Sequence, residues 1–155
     1  MTPPLLLLSC ADRKVPGPFV MRALDRYDGP AFRMLRNHRK AKHPMPDLCI
    51  LSAKYGLLYW DDNIQVYDQR MDEATANQLK YEKVNTDGRF LRLRLEAAPN
   101  HLCIAGGLYL DVFRHWAMRD LTIADGGIGD KLKALRLLLD GLKTTPELQP
   151  QLDLT

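Results

Sequence analysis

The chain has 155 residues, room for one compact domain and too few for two ordinary ones. Apolar residues make up 46% and charged residues 26%, which excludes a disordered chain, and the absence of an internal repeat excludes a solenoid or a collagen. Lys and Arg number 22 against 19 Asp and Glu, a net charge of +3, too mild on its own to imply a nucleic-acid partner.

Taken in chain order, the first expected element is a buried strand, Leu5–Cys10. Its apolar stretch is far short of the roughly 20 residues that cross a bilayer, so no membrane partner is expected. Leu7-Leu8-Ser9-Cys10 imitates a lipoprotein cleavage site, but no Lys or Arg precedes it and the apolar run is too short for an export signal. The expectation is a cytoplasmic protein with Cys10, Cys49 and Cys103 reduced and mostly buried. Phe19–Lys42 holds one or two helices, with Ala31, Phe32 and Leu35 as the inner stripe. Leu48–Ala53 is a second buried strand. Asp72 caps a helix from Glu73 to about Val84, and Thr86 caps another, carrying Leu91, Leu95 and Ala98, that ends before Pro99. Leu102–Ala105 is a third strand, followed by a helix over Leu108–Met118. Leu121–Ala124 is a fourth strand. Lys131–Leu142 is a strongly periodic helix, with Leu132, Leu135, Leu138, Leu139 and Leu142 inward and Lys131, Lys133, Arg136 and Lys143 outward; Gly141 marks its frayed end.

The strands show little apolar–polar alternation, the pattern of parallel strands covered on both faces. Strand and helix alternate, so the expected fold is a three-layer, Rossmann-like α/β domain over residues 1–143, with a mainly parallel sheet of four or more strands. Residues 144–155, polar with two prolines, are expected as a loose tail.

Ligands of parallel sheets bind at the carboxyl ends of the strands. The residues just past each apolar run therefore map a crevice. They are Ser9, Cys10, Asp12, Arg13 and Lys14; Ser52, Lys54, Tyr55 and Gly56; Gly106, Gly107 and Tyr109; and Asp125, Gly126, Gly127 and Gly129. Each glycine taken singly serves a turn, but small, hydroxyl-bearing and cationic residues recurring at four strand ends suit an anion or nucleotide. The Ser9–Lys14 loop lacks the glycines of a Walker loop, and no GxGxxG follows the first strand, so neither standard nucleotide signature is present. Cys10 has no evident base partner and reads as a packed or pocket-lining thiol. His38, His43, His101 and His115 have no zinc-site spacing, and neither metal nor cofactor is expected.

Leu51-Ser52-Ala53-Lys54-Tyr55-Gly56-Leu57-Leu58 is the most distinctive segment, followed by Asp61, Asp62, Ile64 and the pair Tyr67-Asp68. Either it is a lid whose aromatics merely pack, or it is a functional loop beside the crevice. Arg33, Arg36, Arg39, Lys40 and Lys42 form an acid-free run, either a solvated helix face or a contact for a phosphate backbone. No obligate protein partner is evident in the pattern.

The segments LLLLSCADRK, ILSAKYGLL, the later D-x-x-I-x-x-Y-D and GGIGDKLKAL resemble a small bacterial and phage family of unassigned domains. Around Tyr55–Leu58 the chain is similar to the peroxide-stress YaaA-like proteins, and it also resembles anti-phage DNA glycosylases that remove glucosylated hydroxymethylcytosine. Asp12 departs from the resemblance, standing where a basic or small residue is usual. The resemblance implies work on DNA or its nucleotides. Its leading implication is hydrolysis of an N-glycosidic bond of a modified base in phage DNA, with the nucleotide flipped into the crevice. The alternatives are a DNA-binding stress protein without catalysis and a hydrolase of free nucleosides or nucleotides. For glycosidic cleavage the expected carboxylate is Asp68, then Asp12, then Asp125. Tyr55, Tyr67 or Tyr109 would stack on the base, and Ser9, Lys14, Ser52 and Lys54 would hold phosphate or sugar oxygens. Arg33, Arg36, Arg39 and Lys40 would contact the DNA backbone.

Overall fold

A computed structural model describes residues 3–81, 91, 94–96, 100–117 and 120–143. The expected tail, the cap at Thr86 and the helix end at Val84 lie outside them. The elements in chain order are β1 (Leu5–Ser9), β2 (Met21–Arg22), α1 (Ala23–Arg26), α2 (Pro30–Lys40), β3 (Asp47–Ser52), β4 (Gly56–Tyr59), β5 (Asn63–Ile64), α3 (Glu73–Tyr81), β6 (His101–Ile104), α4 (Gly107–Trp116) and α5 (Ile128–Asp140).

The main sheet has the order β4-β3-β1-β6. β1 sits between two parallel neighbours, Leu7 opposite both Cys49 and Cys103. This central place explains its uninterrupted leucines: Leu5 to Leu8 are all 2% exposed or less, alternately feeding two cores. Leu6, Leu8, Leu48, Ile50 and Ile104 pack with Leu24, Tyr27, Phe32, Leu35, Leu135 and Leu139 from α1, α2, α5 and the turn after α1. Leu5, Leu7, Cys49, Leu51 and Cys103 pack with Ala76 and Leu79 of α3, Leu91, Leu95, and Val112, Phe113 and Trp116 of α4. The sheet is thus mixed, mostly parallel and flanked by helices, an α/β arrangement.

The segment Phe19–Lys42 holds two helices, within the expectation: Gly29-Pro30 restarts the chain, with Pro30 at the first helical position, where its missing N–H costs nothing. Two expectations change in detail. The distinctive segment after β3 is not simply a loop. It folds back as β4, antiparallel to β3 with Ser52 opposite Gly56, and Gly56 takes φ +77°, which an L side chain rarely adopts. The fourth expected strand is reduced to one parallel bridge, Cys103 with Ile123; Cys103 N donates to Thr122 O and Ala124 N donates to Cys103 O. Even so, its parallel sense sends the chain out of the same sheet edge as β1, β3 and β6.

The Asp72 cap is present: Thr75 N donates to Asp72 Oδ1 at 2.7 Å, which holds that carboxyl below its ordinary range. No helix among the described residues is long and apolar enough to cross a membrane.

Candidate functional site

At the carboxyl edge the chain leaves β1 at Ser9, β3 at Ser52 and β6 at Ile104, while the Ile123 bridge leads to Asp125–Gly127. The post-β1 and post-β3 turns are tied together by a buried hydroxyl chain. Ser52 Oγ accepts from Lys54 N at 3.1 Å and Tyr55 N at 3.0 Å. Those two bonds occupy both of its lone pairs, so its single proton goes to Tyr67 Oη, 2.9 Å away. Tyr67 Oη lies 2.5 Å from Tyr27 Oη. The two phenols bring two protons to this contact and only one can lie between them. Tyr27 is fully buried and Tyr67 is 7% exposed, so this contact closes the hydroxyl chain inside the core. Burial pushes the hydroxyls of Tyr27 and Tyr67 upward, away from ionisation, so both remain O–H donors at neutral pH.

Around this chain stand the cations and the remaining hydroxyl. Lys14 Nζ lies 4.3 Å from the Tyr67 ring centroid and donates to Asp12 O at 3.0 Å. Lys54 Nζ lies 5.4 Å from the Tyr55 ring and 5.9 Å from that of Tyr67. Cys10 Sγ is 3.3 Å from Tyr109 Oη, which joins β1 to α4. Burial, then the bond with Cys10, pushes the Tyr109 phenol up as well, and Asp12 acts on it electrostatically in the same direction. The segment after β5 is lashed over the post-β3 turn: Gln65 N donates to Tyr55 Oη at 3.3 Å, and Gln69 Nε2 to Ala53 O at 3.2 Å.

Two helices begin at the same edge. α4 and α5 start at Gly107 and Ile128 after glycines, with no side chain capping the free N–H groups by itself at Gly106; Asp130 Oδ2 accepts from Gly127 N at 3.2 Å. A Cβ at Gly107 or Gly127 would meet nothing, so both turns are open to a ligand, whereas one at Gly126 would run into Asp130 and its φ is +92°. Lys131, which the helical period places outward, has its ammonium beside Gly106 and adds a cation that periodicity did not mark.

Most of the sequence-derived site therefore converges: Ser9, Cys10, Asp12, Lys14, Ser52, Lys54, Tyr55, Tyr67, Gly106, Gly107, Tyr109, Asp125 and Gly127 all belong to segments leaving this edge or folded over it. Their roles shift, however. Burial leaves Tyr67 a hydroxyl to offer rather than an open ring face. Asp68 is exposed and makes no side-chain hydrogen bond to the described residues, and Asp125 is exposed too. Asp12 is the carboxylate coupled to a crevice hydroxyl. Tyr27 and Arg26 were not marked by the sequence at all; they sit in a segment whose pattern reads simply as helix.

The basic run on α2 divides. Arg36 Nη1 donates to Leu24 O at 2.9 Å and Tyr27 O at 2.7 Å, and Nη2 lies 3.4 Å from Asp28 Oδ1. It closes the end of α1. Arg33 pairs with Asp28 at 3.0 Å but stays about half exposed, with 54% of its side chain accessible. Arg39 stacks on Trp60, its Cζ 5.2 Å from the ring, and Lys40 is exposed. Arg36→Ala is expected to cost about 1.5–3 kcal/mol of stability, the scale for hydrogen bonds to a charged group, as thermal melts would show.

The cysteines differ in kind. Burial pushes the Cys49 and Cys103 thiols up to about 12, while Cys10 is half-buried at the crevice. Alkylation of the native protein at neutral pH should modify Cys10 first and the other two only on unfolding, as peptide mapping would show. Among the described residues no group of three His, Cys, Asp or Glu side chains is arranged to hold a metal ion.

Three cavities, of about 420, 230 and 640 Å³, lie elsewhere: beside Asp47 and Trp60, between α2 and α5 at His38 and Arg136, and between His101 and Leu138. None of these three is lined by the hydroxyl and lysine cluster.

Fold and site together define an α/β domain with a cationic, hydroxyl-rich shelf at the carboxyl edge of its sheet. The chain belongs to a family of unknown function (DUF6884), matched over residues 5–136. No curated protein and no solved structure matches it.

Proposed function

We propose that this domain is a DNA glycosylase that hydrolyses the N-glycosidic bond of a modified base, acting on a nucleotide flipped onto the shelf of a three-layer, Rossmann-like fold. The observation that carries the reading is the Ser52–Tyr67–Tyr27 hydroxyl chain at the carboxyl edge of the sheet, with the Lys14 ammonium over the Tyr67 ring. Glycosidic cleavage leaves negative charge on the departing base and positive charge on the sugar. A phenol kept protonated by burial donates a hydrogen bond to a carbonyl oxygen of that base, and nearby ammonium groups favour the charge developing there. Lys14, Lys54, Lys131 and the free N–H groups of α4 suit the phosphates on either side.

In the reaction the C1′–N bond breaks and its electron pair leaves with the base. Water adds to C1′, its proton passes to a carboxylate, and the base takes up a proton. Asp12, exposed like Asp68, is the carboxylate we assign, because it follows the end of β1 and acts electrostatically on the Tyr109 hydroxyl. Tyr55, half-buried, is the ring available to stack on the base. The resemblance to glycosylases of glucosylated hydroxymethylcytosine supplies the preferred substrate.

The test is incubation with unmodified, hydroxymethylated and glucosylated DNA, followed by alkali. Strand breaks confined to modified DNA support the reading. Binding without breaks in any of them would leave a non-catalytic DNA-binding protein, and base release from free nucleosides alone a nucleoside hydrolase.

A further inference from the structure

An apolar tip stands next to the shelf. Phe19 is 76% exposed, Val20 44% and Val66 55%, and the three are brought together by topology. Met21 pairs with Ile64 in the antiparallel β2–β5 ribbon, so the chain enters β2 through Phe19-Val20 and leaves β5 through Gln65-Val66 at the same end of the ribbon. Val66 directly precedes Tyr67, and Phe19 lies on the same connection as Lys14.

This exposure is not that of a slack loop. The connection is fastened by Arg26, whose side chain is fully buried. Its Nη1 donates to Val15 O at 2.9 Å, and its Nη2 to Pro18 O at 2.5 Å and Phe19 O at 3.3 Å, with Ile64 O at 3.5 Å. One guanidinium thus holds both arms of the ribbon from below. Pro16 and Pro18 restrict the backbone further. Burying a charge with carbonyls as its partners is costly, and here it fixes a segment whose largest side chain is turned outward.

We propose that Phe19, supported by Val20 and Val66, is a wedge that enters the base stack of duplex DNA beside the nucleotide held on the shelf. The inference rests on the DNA reading above. Its occupant follows from the surroundings. Arg13 and Lys14 on the same connection suit the phosphates that flank every base, and an aromatic ring fixed at the rim has the shape and apolar character that part a base step. A wedge also supplies what a flipped nucleotide requires, a group to hold open the gap in the stack.

The experiment uses a short duplex with 2-aminopurine immediately beside a glucosylated hydroxymethylcytosine. Anisotropy reports binding, and 2-aminopurine emission reports unstacking. The wild-type chain should bind and raise the emission severalfold. Phe19→Ala should melt like the wild type, since the ring is exposed. It should bind about tenfold more weakly, the scale of one lost base–aromatic stack, and fail to raise the emission. Phe19→Leu, which keeps an apolar wedge, should restore most of the rise. An emission rise undiminished in Phe19→Ala, or absent from bound wild type, overturns the wedge while leaving the DNA reading intact. No binding of wild type to any DNA overturns both.

Discussion

Asp12→Asn is expected to lower base release by about a hundredfold or more, the scale of a positioned acid–base or electrostatic group, while leaving DNA affinity and the melting temperature nearly unchanged. The change keeps the size of the side chain and its hydrogen-bonding capacity but removes the charge beside the Tyr109 hydroxyl. Asp68→Asn is the matched control: it is exposed like Asp12 but has no electrostatic tie to the Tyr109 hydroxyl, so turnover should stay within a few-fold of wild type. The reverse pattern, loss at Asp68 and none at Asp12, would return the chemistry to the Tyr67-Asp68 pair that the sequence singles out. Tyr67→Phe removes the middle hydroxyl of the chain and leaves Ser52 and Tyr27 without that partner, so it should lower both turnover and stability, the latter by about 1–3 kcal/mol for the unsatisfied buried group. Single-turnover rates set beside thermal melts separate these cases.

Arg26→Met is expected to be among the most destabilising single substitutions, costing about 3–5 kcal/mol, the range for breaking a buried charged network. The methionine fills most of the volume but leaves the carbonyls of Val15, Pro18, Phe19 and Ile64 without their donor. In a domain of this size that corresponds to a fall in melting temperature on the order of 10 °C. Arg26→Lys keeps the charge but cannot reach several carbonyls at once, so it should recover only part of the loss. A melt within a degree or two of wild type for Arg26→Met would mean that the ribbon is held by its own strand pairing and core contacts.

How much of this was legible beforehand follows from the range of each interaction. The leucines of β1 announce a strand buried on both faces, because a central parallel strand needs apolar side chains at every position. The parallel order then brings the four strand ends to one edge, which is why a map drawn from the residues after each apolar run found Ser52, Lys14, Tyr55 and Tyr109 together. What periodicity does not carry is pairing between distant segments. Nothing local to Tyr27 tells that its hydroxyl meets Tyr67, forty residues later in the chain. Arg26 reads as an ordinary helical arginine, since its partners are backbone carbonyls, and carbonyls leave no trace in residue identity. The basic run on α2 divides for the same reason: Arg36 is as cationic as Arg33, and only the fold directs it onto the carbonyls of Leu24 and Tyr27. The hairpin at Gly56 was within reach, because Lys54-Tyr55-Gly56 between two apolar stretches is a turn signal as well as a motif.

The most direct measurement of the central claim is a mass balance on glucosylated DNA turned over in water enriched in heavy oxygen. The account predicts a free modified base in solution, an equal number of abasic sites in the DNA, and one heavy oxygen at the sugar C1′, all lost in Asp12→Asn. Intact DNA with no base released, or release of the glucose alone with the base left in the strand, would contradict it.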